Sequence, residues 1–341
     1  MDKKLRFGIL GAGVVAQFHA RAIKLSDRAE LAAVCSSQLD KAREFAGQFG
    51  AEQAYDDYAQ MLSKDDIDII CICTPSGVHA EAGIAAAKAG KHVLVEKPLD
   101  ITLDKIDALI DACAANGVKL GVIHQRRTMP AAVEARKAIA AGKLGKMVLG
   151  DAYLKYYRSP EYYKSSTWRG TWEMDGGGAL MNQGIHGIDL LQWMMGGVKS
   201  VFAYAAPLAR DIEVEDTAVA VVRFHNGAFG VIQGTTSVYP GQEARFELHG
   251  ESGTISFGDS GIQQWVLADG NEEKPEVAEA PSSSSDPANI SIAGHSIQIE
   301  DMIDAVTEGR EPMVNGAEAR AAVQLVLAIY ESAKTGKEIF L

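Results

Sequence analysis

Residues Leu5 to Ala16 place the tightest constraint on the fold. Leu5 to Leu10 is an apolar run of strand type, and it passes directly into Gly11-Ala12-Gly13-Val14-Val15-Ala16 and a helical pattern through Phe18, Ala22 and Leu25. In a strand that turns on G-x-G-x-x-A into a helix, the first glycine permits the tight turn and the second lets a pyrophosphate approach the backbone. The small third residue lets helix and strand pack closely. The helix amino terminus offers N–H groups and positive potential to the anion. Gly11, Gly13, Val14 and Val15 are therefore candidate ligands of a dinucleotide.

Strand and helix patterns alternate onward through Leu31 to Cys35, a helix from Lys41, Ile67 to Cys73, a helix from Val78, Val93 to Val95, a helix from Leu103, and Lys119 to Ile123. That alternation predicts an α/β Rossmann domain with a doubly wound parallel sheet over residues 1–123. Ligands of such sheets bind at the carboxyl ends of the strands. The second strand ends in Ser36-Ser37-Gln38, with neither the acid that holds ribose hydroxyls nor an arginine for a 2′-phosphate. NAD and NADP both stay open, NAD being favoured, with the Ser36 and Ser37 hydroxyls as candidate contacts. The next strand end, Thr74-Pro75 with His79 on the following helix, would lie against the nicotinamide half. After Val93-Leu94-Val95 the chain reads Glu96-Lys97-Pro98. Proline disfavours the helical region for the residue before it, so Lys97 should leave the strand end in an extended backbone.

The spacing of Gly8-Ile9-Leu10-Gly11-Ala12-Gly13, Thr74-Pro75 with His79, and Glu96-Lys97-Pro98 resembles the glucose-fructose oxidoreductase/inositol dehydrogenase/rhizopine-catabolism (Gfo/Idh/MocA) family. The resemblance implies that Lys97 is a catalytic residue beside the nicotinamide and that Glu96 contacts the cofactor.

From His124-Gln125-Arg126-Arg127 the pattern changes, so residues 124–341 are expected to form a substrate-binding and oligomerisation α+β domain with a large, mostly antiparallel sheet. Gln125, at the last parallel strand's end, is a further candidate cofactor contact. After a helix from Pro130 to Ala141, strands are predicted from Met147 onward, then at Val198 to Pro207, Thr217 to Phe224, Phe229 to Thr236, Arg245 to His249, Thr254 to Phe257 and Ile262 to Leu267. Asn226-Gly227 marks a hairpin turn. Asn271 to Pro287, with its serines, acids and prolines, reads as a mobile surface loop, and helices near Ile292 to Glu308 and Ala317 to Ala333 close the chain.

Between these strands lie Tyr156-Tyr157-Arg158, Tyr162-Tyr163, Trp168-Arg169-Gly170-Thr171-Trp172 and Asp175-Gly176-Gly177-Gly178-Ala179-Leu180-Met181-Asn182-Gln183-Gly184-Ile185-His186-Gly187-Ile188-Asp189. Aromatic faces beside arginine and asparagine suit a sugar, whose C–H groups stack while its hydroxyls bond. The glycines predict a loop running into a helix that would carry Asn182 and His186 on one side, with Asp189 following. The stretch is similar to the family's second signature, which implies His186 as a catalytic residue. Asn182 stands where an aspartate is commoner and cannot titrate, so it is cast as a hydrogen-bonding positioner. Tyr156, Arg158, Tyr163 and Asp189 are the remaining candidate substrate contacts, and Trp168 and Arg169 candidate cofactor contacts. The form of this signature is closest to the branch that oxidises nucleotide-linked N-acetylglucosaminuronate at the 3-hydroxyl.

The implied activity is NAD(P)-dependent oxidation of a secondary hydroxyl of a pyranose sugar, glycoside or nucleotide sugar. The alternatives are an inositol or free-sugar dehydrogenase, an NAD-dependent glycosidase working through transient 3-oxidation, and a cofactor-sensing binding protein. A formal charge of −12 on 341 residues leaves no basic surplus for nucleic acid. No apolar stretch reaches membrane-spanning length, and Met1 to Arg6 lacks the form of a signal peptide, so a cytoplasmic protein is expected. Cys35, Cys71, Cys73 and Cys113 read as buried reduced thiols, and no metal site is expected. A broad sheet with one uncovered face needs a partner, which points to a homodimer or homotetramer through that face.

Overall fold

A computed structural model describes residues 4–268, 270, 274–278 and 291–341. The chain divides into two compact units, one of residues 1–125 with 292–320 and one of residues 126–291 with 321–341.

The first unit alternates β1 (Leu5–Leu10), α1 (Val14–Leu25), β2 (Ala29–Cys35), α2 (Leu39–Phe49), β3 (Gln53–Tyr55), α3 (Tyr58–Leu62), β4 (Ile69–Ile72), α4 (His79–Lys88), β5 (His92–Val95), α5 (Leu103–Ala115) and β6 (Leu120–Val122). Its six strands pair in the order β3-β2-β1-β4-β5-β6, all parallel. The order reverses at β1, so the ends of β1 and β4 flank the switch point where such sheets take a dinucleotide. The central strands are buried on both faces, and β4 is Ile69-Ile70-Cys71-Ile72 without a polar residue. This is the composition that a sheet covered by helices on two sides requires.

The second unit contains α6 (Pro130–Ala140), β7 (Met147–Lys155), α7 (Pro160–Lys164), α8 (Ile185–Met195), β8 (Val198–Ala206), β9 (Thr217–Phe224), β10 (Phe229–Thr235), β11 (Arg245–Gly250), β12 (Gly253–Gly258) and β13 (Gly261–Leu267). After α9 (Ala293–Glu308) and α10 (Gly316–Thr335), the chain closes on β14 (Ile339–Phe340). The eight strands run β13-β12-β11-β7-β10-β9-β8-β14. The sheet is antiparallel apart from β7 against β10. Gly227, at φ +90°, makes the Asn226-Gly227 turn between β9 and β10. In β9, Ala218, Ala220, Val222 and Phe224 point inward, and Thr217, Val219, Val221 and Arg223 point outward.

One part of the expected division needs correcting. Residues 292–320 group with the first unit, not with the second. The reason is packing: Ile299, Met302 and Ile303 of α9 join one core with Phe7, Ile9, Ile23, Leu94 and Ile123. Most of the loop predicted from Asn271 to Pro287 lies outside the described residues.

Candidate active site

The glycine turn of the first unit behaves as its spacing predicts. Gly11 has φ +109°, and a Cβ on it would lie 2.5 Å from the Cys73 carbonyl oxygen, so the position admits only glycine. Its N–H donates to the Cys35 carbonyl at 2.8 Å, which ties the turn to the end of β2. Gly13 is the N-cap of α1 and makes no side-chain cap, and a Cβ on it would meet nothing within 4 Å. Val14 and Val15 form the first turn, which carries no acid, and Ala16 is fully buried. Among the described residues, open space over uncapped N–H donors, with no acid in the helix's first turn, fits a diphosphate. Beside this turn the Thr74 hydroxyl oxygen is buried without a hydrogen-bond partner among the described residues. Pro75 follows it, half-buried. The Ser36 N–H donates to the Tyr55 carbonyl at 3.0 Å, and Ser37 is exposed at the same edge.

Lys97 is half-buried just beyond β5, and its bond to Pro98 is cis. His79 was expected to touch the cofactor and does something else. Its ring is 1% exposed, with Nδ1 2.7 Å from the Pro98 carbonyl and Nε2 2.8 Å from the Thr74 carbonyl. It thus braces the turn after β4 against the turn after β5. Asp100 does similar work, accepting the Ala80 N–H at 2.9 Å and the Ile101 N–H at 2.7 Å.

Glu96 also needs correcting, because its carboxylate turns inward. Its Oε1 lies 2.9 Å from His19 Nε2 and 3.3 Å from His295 Nε2, and its Oε2 accepts the Lys97 N–H at 3.2 Å. Burial pushes the Glu96 carboxyl up, but the hydrogen bonds from the two histidines outweigh it and hold Glu96 well below the usual carboxylate range. Neither histidine stood out in the sequence. Gln125 follows β6 in a 3₁₀ turn spanning Gln125–Thr128 and is half-buried.

In the second unit, the triple glycine is a place of close approach. A Cβ on Gly177 would lie 2.1 Å from the Tyr330 hydroxyl, and one on Gly178 would lie 2.1 Å from the Glu215 carbonyl oxygen. The segment Ala179–Gly184 that follows is a π-helical turn, not the first turn of an α-helix. Buried Glu215 stabilises it by accepting the Gly178 N–H at 3.0 Å, the Leu180 N–H at 2.8 Å and the Tyr330 hydroxyl at 2.8 Å. A π turn lets successive N–H groups depart from the α pattern and is common at functional sites. His186 is the second residue of α8, half-buried.

Asn182 sits inside the π turn, and its amide donates to Asp175 Oδ1 while its Oδ1 accepts from the Gln183 amide. Asp175 is 2% exposed and also accepts the Gly170 N–H at 2.8 Å. An acid therefore stands behind Asn182, although the signature position itself cannot titrate. Gln183 takes the Arg158 Nε–H at 2.9 Å and donates to the Tyr162 hydroxyl at 2.9 Å, so Arg158 supports the same turn. The Arg169 guanidinium lies 4.5 Å from the Tyr162 ring and 5.3 Å from that of Trp168.

Three expected substrate contacts are corrected to supporting roles. Asp189 is fully buried and receives Arg127 on both oxygens at 2.8 Å. Tyr163 shares a hydrogen bond with the Thr236 hydroxyl at 2.7 Å, and burial pushes its phenol up to about 12. Tyr156 is 3% exposed, and burial raises its phenol against the pull of Arg126 and Arg158. Arg126 itself is paired with Asp259 at 2.6 Å.

A glycine turn with room for a diphosphate and a strand-end lysine, on a sheet of this order, fit a dinucleotide-dependent oxidoreductase. Residues 5–124 match the model of the oxidoreductase family with an NAD-binding Rossmann fold, and residues 132–256 match that of the GFO/IDH/MocA C-terminal domain. The chain belongs to the Gfo/Idh/MocA oxidoreductases. It is 31% identical to myo-inositol 2-dehydrogenase of Thermotoga maritima over 259 residues, 74% of each chain. It is 28% identical to levoglucosan dehydrogenase of Pseudarthrobacter phenanthrenivorans over 288 residues, 75% of this chain and 74% of the relative. Among solved structures it resembles the WlbA dehydrogenase of Bordetella pertussis in complex with NADH and UDP-GlcNAcA, with a TM-score of 0.89, 35% identity and 99% of both chains covered. Among the described residues, no helix is long and apolar enough to cross a membrane.

Proposed function

We propose that the protein oxidises a secondary hydroxyl, the 3-hydroxyl, of a pyranose carried as a nucleotide sugar or glycoside. The observation that carries this reading is the pairing, in one chain, of Lys97 just beyond β5 with His186 at the start of α8, each close in sequence to a turn held by side-chain hydrogen bonds. The 35% identity to a dehydrogenase solved with a nucleotide sugar supports the substrate class. NAD, when bound, supplies the hydride acceptor. Residues Gly11, Gly13, Val14 and Val15 would hold its diphosphate, with Thr74, Pro75, Gln125, Trp168 and Arg169 as further contacts. The Lys97 ammonium holds the alcohol oxygen and stabilises negative charge developing on it. His186 takes the hydroxyl proton, work that suits an imidazole near neutrality. Asn182, Arg158 and Gln183 orient the hydroxyls around the reacting one.

A second reading, oxidation of a cyclitol, is favoured by the 31% identity to an inositol dehydrogenase. A panel of UDP-sugars, glycosides and inositols, followed at the NADH absorbance band, separates the two. Lys97→Met and His186→Ala should each lower kcat by about 10²- to 10⁴-fold and leave NAD affinity within about threefold. Wild-type turnover in either variant would remove the assignment.

We also infer a homo-oligomer formed through the outward face of the eight-stranded sheet. Leu149, Val219, Val221 and Phe229 on that face are 41–55% exposed, and Phe229 lies beside Leu149, Val231 beside Val221. Light scattering of Val221→Glu should report a smaller species than wild type. A cytoplasmic location fits the free thiols of Cys35, Cys71, Cys73 and Cys113, and extraction under a thiol-blocking reagent should find all of them reduced.

A further inference from the structure

Glu96 is a buried carboxylate whose side-chain partners come from two separate helices of the first unit. His19 is on α1, the helix that starts at the glycine turn, and His295 is on α9, 199 residues beyond Glu96 in the chain. Both rings are buried, at 0% and 2% exposure. Each points Nε2 at Glu96 Oε1, while each Nδ1 is buried without a hydrogen-bond partner among the described residues. A neutral imidazole has one N–H. With that proton on Nε2 the carboxylate is satisfied and Nδ1 is left a bare acceptor, a costly arrangement that folds rarely keep without reason. Here it occurs twice in one cluster. Packing fixes the rings as well, since Phe18 stacks on His295 at 5.4 Å and 22°, and His19 meets His295 edge-on at 5.4 Å and 73°. Burial pushes the His19 imidazole below its ordinary value, against the pull of Glu96, which keeps it a neutral donor. The other oxygen of Glu96 accepts the Lys97 N–H.

We propose that His19 and His295 are positioning residues for Lys97. As paired Nε2–H donors they hold Glu96 as an ionised carboxylate in one rotamer, and through it they fix the backbone turn from which Lys97 emerges. The arrangement couples the helix under the diphosphate turn to the lysine of the reaction. It rests on the dehydrogenase reading for its kinetic consequence, and on the geometry of the buried cluster for its protonation state.

Both parts are tested on the full-length protein. Long-range ¹H–¹⁵N spectra of histidine-labelled protein at pH 7 should show His19 and His295 as neutral Nε2–H tautomers, assigned by His19→Gln and His295→Gln. An Nδ1–H tautomer or an imidazolium at either residue overturns the proposal. So does a stoichiometric metal ion released on acid denaturation and lost in His295→Leu, since Nε2 would then be a ligand and not a donor. In turnover assays, His295→Leu should lower kcat about tenfold with NAD affinity, measured by fluorescence titration, within threefold of wild type. His295→Gln keeps a donor amide and should recover most of the loss. Equal kcat in the Leu and Gln variants shows a merely space-filling residue and overturns the positioning role. A wild-type protein that reduces NAD with no sugar or cyclitol would instead sink the dehydrogenase reading, a result distinct from a wrong tautomer.

Discussion

Tyr330→Phe removes one oxygen and keeps the ring, including its edge contact with Trp172 at 5.2 Å. That oxygen donates to Glu215 Oε1 at 2.8 Å and accepts the Met181 N–H at 3.3 Å, where the π turn carrying Asn182 begins. A hydrogen bond to a charged group contributes about 1.5–3 kcal/mol, and a buried N–H left alone costs about 1 kcal/mol when its bond was long. Together the change should weaken the turn by about 3 kcal/mol, a factor of about 10² in its local opening equilibrium. Hydrogen exchange followed by mass spectrometry on peptides covering residues 176–185 reads that equilibrium directly. Protection there should fall about a hundredfold while peptides from β1 and β4 keep theirs. Activity should fall with it, because Asn182 and the start of α8 are carried by the same turn. Protection unchanged within threefold would refute the view that Glu215 and Tyr330 hold the turn.

Other outcomes follow from particular contacts. Gly11→Ala should cost about 3 kcal/mol or more in stability, since its Cβ would meet the Cys73 carbonyl at 2.5 Å. Gly13→Ala, with nothing within 4 Å, should melt like wild type yet bind NADH more weakly in a fluorescence titration. Asp189→Asn leaves Arg127 buried with half a partner and should destabilise by about 3–5 kcal/mol in urea unfolding, whereas Arg127→Met with Asp189→Leu should recover much of that. Acid should weaken the first unit through the Glu96 cluster. His19 is held below its ordinary 6.5, so the unfolded chain binds the extra proton first and stability is lost as pH falls below about 6.5. Glu96 is held below its ordinary 4.5, and its contribution is lost as pH falls further, through its folded value. His19→Gln should flatten the upper part of that slope, measured by thermal melts between pH 5 and 7.

Both sheets are legible except for the short edge strands β3 and β14, because the periods of the longer strands are strong. Apolar runs such as Ile69-Ile70-Cys71-Ile72 and alternations such as Thr217 to Phe224 leave little freedom of assignment. The glycine turn was legible because its chemistry is local. The π turn was not, since the sequence after Gly178 reads as a helix and the groups that reshape it, Glu215 and Tyr330, lie 37 and about 150 residues away. The same distance hid His19 and His295, whose meaning depends on meeting Glu96. Tyr156, Tyr163 and Asp189 were assigned to substrate because polar side chains near a signature suggest contact. Burial and satisfied hydrogen bonds redirect them to support.

The return of α9 to the first unit bears on how this chain is made. While a ribosome is still extending the chain through the second unit, the nucleotide half lacks Ile299, Met302 and Ile303 from its core and His295 from its buried acid. Its nascent sheet must wait, with a bare hydrophobic groove along α1, until the carboxyl-terminal region emerges. A release clone ending at residue 125 should therefore come out insoluble or protease-sensitive, and supplying residues 292–320 on a short tether should rescue it.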